Sequence, residues 1–412
     1  MSQEITHWRK TFSIIWAGQF LSLLSSSLVN FAIIIWLSIQ TGSAEVLAWA
    51  AISALLPQSV IGLFSGVFID RWDRKKTMIA ADGFIAVCTL LIALLFYFGE
   101  MELWYLYLLL GLRSIGSAFH MPAMQASVPL LAPASELVRI AGVNQIIQSV
   151  SNIAGPALGA LAIGLMNIGY VLLIDIAGAV FAIISLLFVT IPNPPPVARE
   201  GKGVRQVLAD IGAGIKGITA PKGFALLVLL SVVATFCLMP VAVLFPLLTL
   251  KHFGGNTFQM SLIEVVWGLG MLAGGAVLGL WKVRSSKVTL INWMYILLGA
   301  MLALSGLLPS WGFAIFVLLT TLGGVTAAIY NASFTALIQE TVDPSLLGRV
   351  FSMFFSISLL PSLFGLLGTG FLADTIGISR TFVILGCAIG LVGLISFFVP
   401  SIRRFGRVSV DG

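Results

Sequence analysis

The chain has 412 residues, of which 59% are hydrophobic and only 9% are charged. A soluble domain is about 25% charged and about half apolar at most, so these proportions exclude that class and leave a polytopic membrane protein. The net charge of +6 is no nucleic-acid signature, because the cations sit in loops without interleaved aromatic residues.

Taken in order, the apolar runs predict twelve membrane-spanning helices, near 11–38, 46–69, 77–98, 103–127, 140–166, 169–191, 222–250, 258–281, 288–308, 311–336, 349–372 and 380–400. Each is about 20 residues or longer, enough to cross the hydrocarbon. The first run follows Arg9 and Lys10 and is far longer than the core of a cleavable signal. Cys88, Cys237 and Cys387 fall singly inside apolar runs. They read as free buried thiols without metal-ligand spacing, and neither a metal nor a cofactor is expected.

Between the second and third runs lies Gly66-Val-Phe-Ile-Asp-Arg-Trp-Asp-Arg-Lys-Lys76, in which six of the seven positions from Asp70 to Lys76 are charged. Such a cluster cannot lie in hydrocarbon and must be a short loop. Its four cations place that loop in the cytoplasm. An even number of spans then puts both termini on the cytoplasmic side of the cell membrane. Under that assignment the inner segments collect Arg9, Lys10, Arg71, Arg74, Lys75, Lys76, Arg139, Lys282, Arg284, Lys287, Arg349, Arg403, Arg404, Arg407 and the cations of the 192–222 loop. The outer loops hold only Lys251 and Arg380.

Residues 192–221 divide the chain into an N-terminal bundle of six spans (1–191) and a C-terminal one (222–412). This linker opens on Pro192-Asn-Pro-Pro-Pro196, which ends the sixth helix. Apolar residues then recur at Val204, Val207, Leu208, Ile211, Ile215 and Ile218, the spacing of a helix lying on the inner membrane surface, with a disordered linker as the alternative for its glycine-rich end. The halves carry a weak parallel repeat, in which Ser135, Leu137 and Arg139 match Ser345, Leu347 and Arg349 at a constant offset of 210.

Polar residues inside the spans fall on stripes. Span one aligns Gln19, Ser22, Ser26 and Asn30; span four aligns Arg113, Ser117, His120 and Met124; span five carries Asn144, Gln148, Ser151 and Gly155. In the second half the stripes are Ser231 with Thr235, Thr326 with Tyr330, and Ser352 with Ser356. A single stripe is ordinary helix packing, since small polar residues are common at membrane helix contacts. Stripes in corresponding spans of both halves point instead to a substrate cavity, with Gln19, Asn30, Gln148 and Tyr330 among its lining.

Charges inside the spans are more specific, because hydrocarbon makes them expensive. Asp82 in span three and Arg113 in span four lie on neighbouring antiparallel helices and are expected to pair, either as a structural ion pair or for proton coupling. Asp175 and Glu264 lie a turn or two below the outer surface, where they are either wet or candidate proton or cation sites. His120 shares the face of Arg113, and a lone helix histidine is more often a hydrogen-bonded packing residue than a proton shuttle.

These features together resemble the major facilitator superfamily. Its loop motif, Gly-x-x-x-Asp-Arg-x-Gly-Arg-Arg/Lys, is matched by Gly66, Asp70, Arg71, Arg74 and Lys75, with Asp73 in place of the inner glycine. The resemblance implies that the aspartate and arginines latch the cytoplasmic side against the second half. The equivalent loop of that half, Lys282-Val-Arg-Ser-Ser-Lys287, lacks the aspartate. In span five, Gly142-x8-Ser151-x3-Gly155-Pro156-x2-Gly159-Ala160 is similar to the antiporter pattern Gly-x8-Gly-x3-Gly-Pro-x2-Gly-Gly, which is typical of exporters. The segment Arg113-Ser-Ile-Gly-Ser-Ala-Phe-His-Met-Pro122, with Ala81-Asp82 and Leu173-Ile-Asp175, looks most like the macrolide-efflux branch of the drug:proton antiporters. There the span-four arginine is linked to proton transfer.

The fold that this resemblance implies is all-α, with twelve transmembrane helices in two six-helix bundles related by a pseudo-two-fold axis. The function it implies is export of amphipathic small molecules by a monomer, through proton antiport and alternating access. Asp82, Asp175 and Glu264 are the candidate proton carriers. No Walker-type loop and no His-Glu-x-x-His or serine–histidine arrangement occurs, so neither nucleotide-driven transport nor enzymatic catalysis is expected. Export of an endogenous lipid or siderophore, and a non-transporting receptor on the same fold, are the alternatives.

Overall fold

The computed structural model describes residues 8–69, 72–131, 133, 137–191, 212, 215–219, 222–280, 286–342 and 347–408. Among them the regular secondary structure is all α-helix. The bounded helices are α1 (Trp8–Thr41), α2 (Ala44–Ile69), α3 (Arg74–Phe98), α4 (Leu103–Leu131), α5 (Leu137–Leu165), α6 (Ile168–Leu187), α7 (Lys222–Lys251), α8 (Thr257–Leu280), α9 (Lys287–Leu307), α10 (Phe313–Thr341), α11 (Leu347–Ile376), α12 (Ile378–Phe398) and α13 (Pro400–Val408). The first twelve are the predicted spans.

Eleven of those twelve contain a stretch long and apolar enough to cross a membrane. The exception is α4, whose middle carries Arg113, Ser114, Ser117 and His120. It is therefore the helix with most need of partners inside the protein. Large apolar side chains stay exposed on the helix surfaces, among them Phe188 at 82% and Phe398 at 79%. That is the reverse of a soluble domain and suits a lipid solvent.

Short polar residues close the helix ends. Asp73 caps α3, its carboxylate accepting from Lys76 N at 2.9 Å. Asn167 caps α6 through Gly169 N, and Ser286 caps α9 through Thr289 N. The aspartate that departs from the family loop motif is thus the residue that starts the third helix, by the ordinary N-cap mechanism. Helix α13 lies beyond the predicted spans. Its Ile402 is buried and Phe405 lies 5.9 Å, ring to ring, from Phe224 of α7, while Arg403 and Arg404 stay exposed.

The chain forms two compact units. Unit 1 comprises Met1–Leu37 with Trp49–Gly203, and unit 2 comprises Ser38–Ala48 with Val204–Gly412. In unit 1, α3 packs on both α4 and α6; in unit 2, α9 packs on both α10 and α12. Glycines set the closest approaches. A Cβ at Gly159 would lie 2.6 Å from Leu28 O, and one at Gly155 would lie 2.6 Å from Ser27 Cβ, so α5 rests directly on α1.

The tail of the predicted linker is helical at 215–219, with Ile218 buried and Ile215 exposed. Pro192–Pro196, Val204–Ile211, Asp70, Arg71, Ser135, Ser345, Lys282 and Arg284 lie outside the described residues.

Candidate functional site

Unit 1 buries two acid–base pairs on the facing sides of α3, α4 and α6. The antiparallel pairing of α3 and α4 explains their placement. Asp82 and Thr89 are seven residues apart on α3, and Arg113 and His120 are seven apart on α4, two turns in each case, so each pair shares a helix face. Thr89 then lies level with Arg113, and Asp82 level with His120. Two polar layers result, separated by about 10 Å at 1.5 Å per residue.

In the first layer α6 supplies the acid. Arg113 Nη2 donates to Asp175 Oδ2 at 2.8 Å, and Thr89 Oγ1 donates to the same oxygen at 2.9 Å. Ser26 of α1 donates to Asp175 Oδ1 at 2.5 Å. Four helices thus converge on one carboxylate that is only 2% exposed. Charge-assisted bonds of this kind are among the stronger ones, and they offset part of the cost of burying both ions. Arg113 Nε and Nη1 have no hydrogen-bond partner, which leaves this guanidinium donors for a second acceptor.

In the second layer His120 Nε2 stands 3.2 Å from Asp82 Oδ1, close enough for an ion pair when the ring is protonated. Neither that nitrogen nor Asp82 Oδ2 makes a hydrogen bond. Both residues are buried, at 6% and 3% exposed. Each layer therefore sets a carboxylate against a cation or an imidazole and keeps spare hydrogen-bonding capacity.

These positions correct one expectation and decide between two others. Asp82 and Arg113 do not pair: Arg113 is level with Thr89 rather than Asp82, and α6, packed on α3, brings Asp175 to it. Asp175 is not a wet interfacial residue but the buried centre of the first layer. His120 faces the carboxylate of Asp82. Thr89 was missed, although its seven-residue spacing from Asp82 is the signal that places it on the same face.

The remaining candidates scatter. Gln19 is fully buried, with neither amide atom hydrogen-bonded, whereas Asn30 of the same stripe is exposed. Gln148 lines a cavity of about 290 Å³ inside unit 1 with Asn144, Gln125, Met121, Met124 and Leu23. Asn144 also accepts from the Trp16 indole N–H. That lining is neutral and half apolar, with two thioethers that adapt to irregular shapes. Ser151 is buried and its hydroxyl is unpaired. Gly142 and Pro156 both lie within α5.

In unit 2, Tyr330 shares a 2.5 Å hydrogen bond with Ser231, and its ring lies 4.7 Å from that of Tyr295. Glu264 of α8 is half-buried and has no ion-pair partner among the described residues.

Two further polar contacts lie at helix ends. Of the loop motif, Gly66 ends within α2 and Arg74 is buried at 9% exposed. Lys75 Nζ donates to Val189 O at 2.8 Å and Leu187 O at 3.4 Å. This cation therefore serves the carbonyl end of α6 in its own unit. On α11, Asp374 accepts from Ser43 Oγ at 2.8 Å, Ala44 N at 3.0 Å and Glu45 N at 3.0 Å, while Ser43 Oγ accepts from Val46 N. A carboxylate remote in sequence thus closes the N-terminus of α2. No pattern near residue 374 announces this role.

Comparison with known proteins places these features. Residues 15–311 match the model of the Major Facilitator Superfamily. Macrolide efflux protein A of Streptococcus pyogenes is 36% identical over 406 residues, covering 98% of this chain and 99% of that protein. Macrolide efflux protein A of Enterococcus faecalis is 37% identical over 329 residues, covering 79% of this chain and 100% of that protein. The crystal structure of a D-xylose-proton symporter superposes with a TM-score of 0.71 at 15% identity, over 95% of this chain and 98% of that one. At that identity the likeness concerns the fold alone.

Proposed function

The chain belongs to the Major Facilitator Superfamily, a multi-pass membrane transporter rather than an enzyme, and we propose that it exports macrolide-like amphipaths in exchange for protons. One observation carries the coupling: Asp175, buried among four helices, is held by Arg113, Thr89 and Ser26. Ionised groups this deep are costly and need a use. A proton arriving on Asp175 neutralises it and removes its hold on Arg113, which then bears an unpaired charge. The relative stability of the two access states shifts by that difference in interaction. His120 and Asp82, about 10 Å further along the same helix faces, receive the proton on its way to the cytoplasm. Asp175 is the primary carrier, and Arg113 is its counter-charge.

The cargo reading rests on the two macrolide efflux relatives and on the neutral, methionine-lined cavity beside Gln148. An uncharged lining recognises amphipaths by shape and apolar contact, with Gln125, Asn144 and Gln148 supplying orientation. The protein works as a monomer in the cell membrane, with both termini in the cytoplasm, and passes cargo by alternating access.

The test is flux in reconstituted vesicles under an imposed pH gradient, with macrolides, a siderophore and a lipid analogue as separate cargoes. Macrolide movement that tracks the gradient, and stops when an ionophore collapses it, is the expected result. Asp175→Asn should bind macrolide but lose the gradient dependence. Gradient-driven transport that survives Asp175→Asn would refute the coupling assignment. Movement of only the siderophore or the lipid analogue would refute the cargo.

A further inference from the structure

A second cavity in unit 1, about 600 Å³ and lined from α3, α4 and the loop before α3, shares no lining residue with the two polar layers or with the cavity beside Gln148. Its polar end is Trp72, Lys76 and Thr77, and its apolar length includes Ala80, Phe84 and Phe119. Positions 76, 80 and 84 fall four apart on α3 and so form one stripe, running about 12 Å along the helix axis. Alanine at 80 keeps the groove wide. The Trp72 and Phe119 rings stack at 5.7 Å, and Phe68 lies 5.4 Å from Trp72, making an aromatic wall at the loop end.

The charges at that end are unequal in use. Asp73, also in the lining, spends its carboxylate on the first turn of α3. Lys75 is engaged by the end of α6. The Lys76 ammonium is exposed and has no partner among the described residues. Trp72 is half-exposed beside it, as tryptophan is at a membrane–water boundary. An unpaired cation at the boundary, an indole next to it and an apolar groove leading inward are complementary to an anion that carries a hydrocarbon chain. A cationic amphipath would be repelled by Lys76.

We propose that this groove holds one anionic phospholipid from the leaflet facing the α2–α3 loop, with its phosphate on Lys76 and an acyl chain along Ala80 and Phe84. The volume holds the phosphate end and part of one acyl chain, within the range of about 300 to 1,000 Å³ for small-molecule sites, and leaves the rest of the lipid in the bilayer. On the positive-inside assignment that leaflet is the cytoplasmic one, where anionic lipid meets basic loops.

Native mass spectrometry of the delipidated full chain, titrated with phosphatidylglycerol or phosphatidylcholine, tests this. One phosphatidylglycerol should be retained in preference to phosphatidylcholine. Lys76→Gln, a surface change, should weaken that retention about fivefold, the worth of one lysine at an anionic lipid surface. Ala80→Phe should abolish it by filling the groove. Equal retention by the wild type and both variants would overturn the proposal, as would equal retention of the two lipids. Loss of macrolide binding without loss of lipid in these variants would make the groove a cargo site and would also overturn it.

Discussion

Unit 1 fills the space between α3, α4 and α6 with two acid–base pairs, whereas unit 2 fills the space between α9, α10 and α12 with rings, amides and bare backbone. The offset of 210 residues aligns Leu103–Leu131 with Phe313–Thr341 end to end, and it lets the two be compared residue by residue. Asp82 aligns with Asn292, His120 with Tyr330, Arg113 with Gly323 and Thr89 with Gly299. Trp267 occupies the room beside Gly323, 3.0 Å from where its Cβ would stand. At Gly299 the α12 backbone comes so close that a Cβ would lie 2.7 Å from Gly390 Cα. The same helix layout thus serves once as a charged site and once as a close-packed contact. The difference shows that this helix layout can be filled without charges.

The comparison breaks most visibly at Arg113. Arg113→Ala leaves Asp175 buried without its cation, which costs about 3–5 kcal/mol and should appear as a lowered denaturation midpoint together with lost efflux. Arg113→Leu combined with Asp175→Leu should recover most of the stability and none of the transport; recovered transport would reduce the pair to scaffolding. Next is Gly155→Leu, which overpacks the α5–α1 contact by about 1–3 kcal/mol. Export should fall sharply while membrane insertion, followed by fractionation, is unchanged. Smaller still is Asp82→Asn, which gives unit 1 the residue of unit 2. We expect gradient-driven efflux to drop about tenfold, equivalent to about 1.4 kcal/mol, and a vesicle assay with no change would remove the second layer from the proton route. The mildest is Tyr330→Phe, which removes the bond to Ser231 for about 1 kcal/mol and should leave proton coupling intact.

The helices were legible because long apolar runs and a dense loop charge leave few alternatives in lipid. The glycines of α5 were legible for a similar reason: small residues at helical spacing mark where backbones meet. The partners of the buried charges were not. Depth along one helix can be counted from the sequence, so Asp82 and Arg113 were rightly placed inside spans three and four. Which neighbour reaches across is decided by the rotation of each helix and by a third helix, here α6, whose Asp175 is 62 residues from Arg113. In unit 2 the stripe residues divide: Thr235 and Thr326 hydrogen-bond carbonyls of their own helices, whereas Ser231 shares its hydrogen bond with Tyr330 of another helix.

The closure of α2 by Asp374 bears on how the protein is made. A chain that grows from its N-terminus inserts its first hairpin early, but the carboxylate that receives Ala44 N and Glu45 N is 330 and 329 residues further on. Until α11 emerges, those amide groups must be met by water, which holds the tip of the hairpin at the aqueous boundary. The turn between the first two helices is therefore finished near the end of biogenesis, and a chain truncated before Asp374 should leave it open to protease.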